Sequence, residues 1–283
     1  MTESTTASAT STSAAMRRVT GAAPATVSAA AVFWALLRRD VRVARRELPY
    51  FLLRTLMQPV LFIIVFGYLM PKMNYVGRGY TTALLPGVLA VSLTLSAIQS
   101  VALPLVADFG WTKEIEDRLL APVPTYLIAM EKIVAGVLQG LISALVVLPV
   151  ARVIMGPVEG LTFVNAGELV VVTLLGAATF SSLGLLMGTA INPQQIGLMF
   201  SIIVAPMIFF GCAYYPWRGL EAVPVMKYLV LADPLTYVAE GMRGALTPSV
   251  PHMSFAAVLG ALAALCAAFL FLGVRAFERR AVG

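Results

Sequence analysis

Six stretches of this chain, residues 51–70, 84–106, 126–154, 169–191, 196–213 and 255–274, are each long and apolar enough to cross a bilayer as one helix, which takes about 20 mostly apolar residues. Within lipid every backbone N–H and C=O must find a partner inside the protein, so runs of this length form helices. The fold class that follows is an all-α polytopic membrane protein with six transmembrane helices. Composition agrees: 59% of the 283 residues are hydrophobic and 12% are charged, where an ordinary soluble domain carries roughly a quarter charged residues. No room is left for a large soluble domain.

The charges lie at the ends of these runs. Glu131 and Lys132 sit one turn inside the third, so its membrane boundary lies nearer Ile133. The fourth and fifth are separated only by INPQQ, where Asn192-Pro193 breaks the helix and forces a tight hairpin. Of the 20 Lys and Arg residues, fourteen fall on one side if both termini share it: eight from Arg17 to Arg54, then Lys113, Arg118, Lys132, Arg275, Arg279 and Arg280. Six fall on the other. Positive charge is retained in the cytoplasm, so both termini are expected there, in the cytoplasmic (inner) membrane.

Residues 1–30 are dominated by Ser, Thr and Ala without a hydrophobic period, the composition of a disordered cytoplasmic tail. Residues 31–48, AVFWALLRRDVRVARREL, are amphipathic, with Phe33, Leu36, Leu37, Ala44 and Leu48 on one face and Arg38, Arg42 and Arg45 on another. With Trp34 in the same turn region, they predict a helix lying in the inner interface, its cations near anionic lipid. Pro49 is expected to turn the chain into the membrane, and residues 49–280 form the six-span body.

Between spans two and three, WTKEIEDRLLAPVPTY carries five charges in the six residues Lys113 to Arg118. At about 2.5–3.5 kcal/mol per buried Asp, Lys or Arg, these residues cannot extend either span and form the first cytoplasmic loop. Ile115, Leu119 and Leu120 make an apolar stripe, Glu114, Glu116, Asp117 and Arg118 supply the charge, and Pro122 and Pro124 stop the helix. A solvated loop needs no such stripe; a helix that docks on a partner, or rests on headgroups, does. Before the last span, residues 214–253 are too polar to cross but keep two apolar runs. They predict a pair of short helices dipping into the outer leaflet, a re-entrant extracellular pair near Tyr215-Pro216. Asp233 caps the second helix, Pro234 takes its first position, and Glu240 and Arg243 pair at i, i+3.

Much is decided by what the apolar cores lack. Apart from Glu131 they contain no Asp, Glu or His, whereas ion-coupled transporters bind their coupling ion through intramembrane ionisable groups. The lone histidine, His252, reads as a solvent-facing loop residue, and Cys212 and Cys266 match no metal spacing, so no catalytic and no metal site is expected. There is no G-x-x-x-x-G-K-[ST] loop, so the chain binds no ATP itself. Nothing in it reads as a nucleic-acid surface. Gly136-x-x-x-Gly140 and Gly184-x-x-x-Gly188 mark close helix packing, and Pro104 and Pro206 mark bends.

Three stretches, in order, resemble the membrane subunits of type-2 ABC exporters: FWALLRRDVRVARREL leading into LMQPVLFIIVFGYL, IEDRLLAPVP, and FFGCAYYPWRGLEAVP followed by ADPLTYVAEGMRGAL. The resemblance covers roughly residues 31–280. It implies two six-span subunits, a second copy or a paralogue, bound to two ATP-binding-cassette subunits that hold ATP and Mg. Residues 113–122 resemble the coupling helix of that family, 31–48 its connecting helix, and the helices after span five its re-entrant outer gate. The family often has Gly-Thr at Lys113-Glu114, Gly-Lys at Glu131-Lys132 and Asn-Pro at Asp233-Pro234. LLPGVLAVSLTLSAIQS looks closer to the drug and nodulation-factor exporters than to polysaccharide ones, which implies a drug-like, lipid or glycolipid cargo. A polysaccharide permease of the same family, an ion-coupled secondary transporter, and a membrane scaffold or enzyme are the alternatives.

Overall fold

The computed structural model describes residues 29–77, 79–112 and 124–282, and all regular structure in them is helical. Helix α1, Ala29–Phe62, runs without interruption into a π-helical stretch, Ile63–Leu69, and a last α turn, Met70–Lys72. Helix α2 is Tyr80–Ala107, α3 Thr125–Met155, α4 Ala166–Ala190 and α8 Phe255–Val282. Between α4 and α8 lie the helical stretch α5, Pro193–Phe210, and two short helices, α6, Pro224–Leu229, and α7, Pro234–Leu246. Five of these helices, α2, α3, α4, α5 and α8, are long and apolar enough to cross a membrane; the apolar part of α1, Leu56–Lys72, is shorter. The expected tail, residues 1–28 of it, and the charged loop, residues 113–123, lie outside the described residues.

One expectation is not met. Pro49 does not turn the chain: α1 continues through it and through Pro59. Proline forfeits one ladder hydrogen bond, but its fixed φ is close to the helical value. The amphipathic segment and the first apolar run are therefore one helix.

Helix α2 is the centre of the bundle. Of its most apolar window 78% is buried, against 11% for α8, and it packs against α3, α4 and α7. Because lipid is as apolar as leucine, helices in it associate through close packing of small residues and through interhelical hydrogen bonds. Both devices appear on α2. A Cβ on Gly140 would lie 3.2 Å from Ala97 Cβ and 3.3 Å from Leu93 O; one on Gly184 would lie 2.8 Å from Ile98 O. The two Gly-x-x-x-Gly pairs thus bring α3 and α4 onto adjoining parts of α2. The Ser92 and Ser143 hydroxyls meet at 2.6 Å, and Ser96 Oγ donates to Gln139 O at 3.1 Å.

At the end of the bundle nearest the C-terminus, Asn192 is extended and Pro193–Gln195 forms a single 3-10 turn, closing the α4–α5 hairpin. Arg280 of α8 donates to Thr189 O and Ile191 O, carbonyls that the end of α4 leaves without helical partners. This is the terminal end; the opposite one, with residues 156–165 and 211–253, is the distal end.

The tightest contact on α2 is at Gly87, where a Cβ would stand 1.6 Å from the backbone oxygen of Ala213. Gly87→Ala is expected to lower stability by about 3 kcal/mol or more, the upper range for overpacking. Gly167→Ala, at an α4 position with nothing within 4 Å, is expected to be neutral. Thermal unfolding of detergent-solubilised protein compares the two.

Candidate functional site

The charged residues gather at the two ends of the bundle. At the distal end, α5 stops at Gly211, and Cys212 adopts φ +52°, a left-handed conformation costly for a side-chain-bearing residue. That twist aims the Cys212 carbonyl at Arg243 of α7, whose Nη2 donates to it at 2.9 Å. Arg243 also donates from Nε and Nη2 to Ala83 O, in the first turn of α2, at 3.3 Å each. Its Nη1 is bonded to Glu240 Oε1, and both side chains are fully buried. Glu240 accepts two backbone N–H groups as well, Trp217 N at 2.9 Å on Oε1 and Met253 N at 2.8 Å on Oε2.

One ion pair therefore ties α7 to the start of α2, to the turn after α5, to the segment preceding α6 and to the approach to α8. Burying two ions costs several kcal/mol each unless their remaining donors and acceptors are met. Here neighbouring backbone groups meet them.

The other distal residues singled out in the sequence are brought to the same cluster. Asp233 Oδ1 accepts Leu235 N at 2.8 Å, and Pro234 begins α7. Burial pushes the Asp233 carboxyl up to about 7, against the opposing pull of the Leu235 N–H. Tyr215 Oη donates within 3.3 Å of Phe209 O and Phe210 O at the end of α5, and Pro216 leads into the 3-10 helix Trp217–Ala222. The Trp217 indole N–H closes on Lys227 O at 3.0 Å.

Sequence reasoning missed an aromatic cluster joining α1 to this turn: Tyr214 stacks on Phe62 and Phe66 at 4.8 and 5.7 Å, with Phe209 beside it. His252 lies in the loop before α8, as expected, but is only partly exposed. Its ring lies over Gly244, and its Nδ1 is 2.8 Å from Val250 O.

At the terminal end, the predicted docking segment with Glu114, Ile115, Glu116, Asp117, Arg118, Leu119, Leu120 and Pro122 lies outside the described residues, but the chain on both sides of it is held. Before it, α2 passes into a π-helical turn, Asp108–Thr112. There Phe109 meets Phe277 of α8 edge-on at 5.9 Å and lies under the Arg280 guanidinium at 4.6 Å. After it, near the start of α3, Lys132 Nζ is 3.0 Å from Asp40 Oδ2 of α1. Along α1, Trp34, Arg38, Arg42 and Arg45 are exposed and border one groove with Leu138 of α3. The Phe33 side chain lies outside the described residues. Among the described residues no cluster of His, Cys, Asp or Glu could hold a metal ion.

Residues 31–247 match the family model described as ABC-2 type transporter. Relatives include the "Inner membrane transport permease YadH" of Escherichia coli strain K12 and its counterparts in Escherichia coli O157:H7 and Shigella flexneri. Each is 30% identical over 200 residues, 67% of this chain and 74% of the relative.

A buried charge stripped of its partner is far costlier than the pair replaced by apolar groups. Arg243→Met is expected to destabilise by about 3–5 kcal/mol, and Glu240→Leu to be similarly damaging. The double variant should lose clearly less than the sum. Simple additivity in thermal unfolding would show that the two residues do not act as a pair.

Proposed function

Because the chain belongs to the ABC-2 type transporter family, we propose that it is the membrane subunit of an ATP-driven exporter. In this reading it moves a hydrophobic or amphipathic compound, drug-like, lipid or glycolipid, out across the cytoplasmic membrane. It carries out no bond chemistry. Two separate ATPase subunits hold ATP and Mg and supply the force, and a second copy or paralogue completes the path. The apolar part of α1 is the first of six spans, and both termini are cytoplasmic, as the distribution of Lys and Arg favours.

The observation that carries this reading is the anchoring of the chain on both sides of residues 113–123. Phe109 before the segment is held by α8, and Lys132 after it is held by α1. A push on the segment would thus reach α8 on one side and α1 on the other, and through α2 the Ala83 carbonyl that Arg243 grips. ATP-driven closure of the partner ATPases would press on Ile115, Glu116, Leu119 and Leu120, tilt the spans, and release a distal gate formed by Tyr215, Pro216, Asp233, Pro234, Glu240 and Arg243. The α6–α7 pair would be the re-entrant element of that gate. The interfacial part of α1, with Trp34 and its arginines, would hold the inner edge of the bundle at the headgroups.

Among the described spans the buried acidic groups are Asp108 and Glu131, both towards the terminal end, so the middle of the bundle suits an uncharged or lipid-like cargo and offers no acidic coupling site for protons. Replacing Glu116 and Leu119 together by alanine is expected to abolish ATPase stimulation and export while leaving membrane insertion normal. Survival of both activities would refute the coupling role. Export driven by a proton gradient and sensitive to Asp233 or Glu240 would point to an ion-coupled transporter instead.

A further inference from the structure

A groove of about 680 Å3 runs between the start of α3 and the last four turns of α8. Its walls are ordered by polarity. Ala267, Leu270 and Phe271 of α8 and Met130 of α3 form an apolar slot, while Arg275 and Glu278 of α8 and Tyr126 of α3 lie at the end nearest the C-terminus. Ala267 and Glu278 are eleven residues apart, about 16 Å along the helix, which is comparable to an extended acyl chain. Counting from the distal start of α8 at Phe255, Arg275 lies about 30 Å along the axis, the thickness of the hydrocarbon core. The charged end of the groove therefore falls at headgroup depth and its apolar end within the hydrocarbon.

Arg275 and Glu278 stand one turn apart on the same face and are both exposed. They do not pair with each other. The Arg275 guanidinium lies over the Phe271 ring at 5.8 Å, which holds it at the mouth of the slot. A ligand with an anion and a cation a few ångströms apart on top of an apolar chain would satisfy all three features.

We propose that this groove binds one phospholipid with a primary ammonium headgroup, of the phosphatidylethanolamine class, in the leaflet nearest the C-terminus. Its phosphate meets Arg275, its ammonium meets Glu278, and one acyl chain lies along Phe271, Leu270 and Ala267. The site is independent of the transport reading, since it needs only the packing of α3 against α8.

The test uses the full chain in phosphatidylcholine nanodiscs containing, in equal amounts, phosphatidylethanolamine or phosphatidylglycerol with a photoactivatable acyl chain. Labelled peptides are identified by mass spectrometry. The ethanolamine probe should label the peptide containing residues 267–274 about threefold more than the glycerol probe, the scale of one exposed ion pair. Glu278→Gln should erase that preference, and Ala267→Trp, which fills the slot from an exposed position, should reduce labelling by both probes. Equal labelling of the parent protein, a preference that survives Glu278→Gln, or labelling unchanged by Ala267→Trp would overturn the proposal.

Discussion

The distal end of this protein depends on a carboxylate and a guanidinium buried together. Glu240 and Arg243 are fully enclosed, and between them they take up the Ala83 and Cys212 carbonyls and the Trp217 and Met253 amides. Such a pair is costly to desolvate, and hydrophobic replacements of equal volume are often as stable. Its value lies in specificity: four chain segments that share no continuous secondary structure are fixed to one helix. The left-handed backbone at Cys212 is part of the same arrangement, because only that turn presents its carbonyl to Arg243.

The centre of the bundle follows the opposite rule. There the helices meet through glycine, alanine and serine, so α3 and α4 approach α2 closely. Three of the long helices carry widened, π-helical stretches, Ile63–Leu69, Asp108–Thr112 and Phe200–Val204. Each lies within a turn or so of a proline, Pro59, Pro104 or Pro206. Turns of this kind, with their altered backbone hydrogen bonding, are where a helix can bend or shift register. The α2 seam is closely packed, α1, α5 and the end of α2 carry widened turns, and the distal end is tied by the buried ion pair.

The helical body was legible in the sequence because lipid makes long apolar runs unambiguous. The starts of α3 and α8 fall within a residue of the runs read from the sequence, and the Asn192-Pro193 hairpin is where the break in apolarity lies. The i, i+3 spacing of Glu240 and Arg243 was readable, but not their backbone partners, which are distant in sequence and depend on how the loops return. Lys132 and Asp40 are 92 residues apart, and no local pattern links them. Arg280 read only as a topological charge, yet it closes the end of α4 and covers Phe109. Pro49 misled, because a proline in a sequence looks like a break, whereas a long helix with other contacts can carry one.

The central claim is that this membrane body has no power source of its own. The most direct measurement is uptake of a fluorescent amphiphile into inverted proteoliposomes containing the purified chain, with and without a P-loop ATPase that copurifies with it. The account predicts ATP-dependent accumulation only when both proteins are present, and no accumulation by the chain alone under an imposed proton gradient. Uphill accumulation by the chain alone, driven by that gradient, would contradict it.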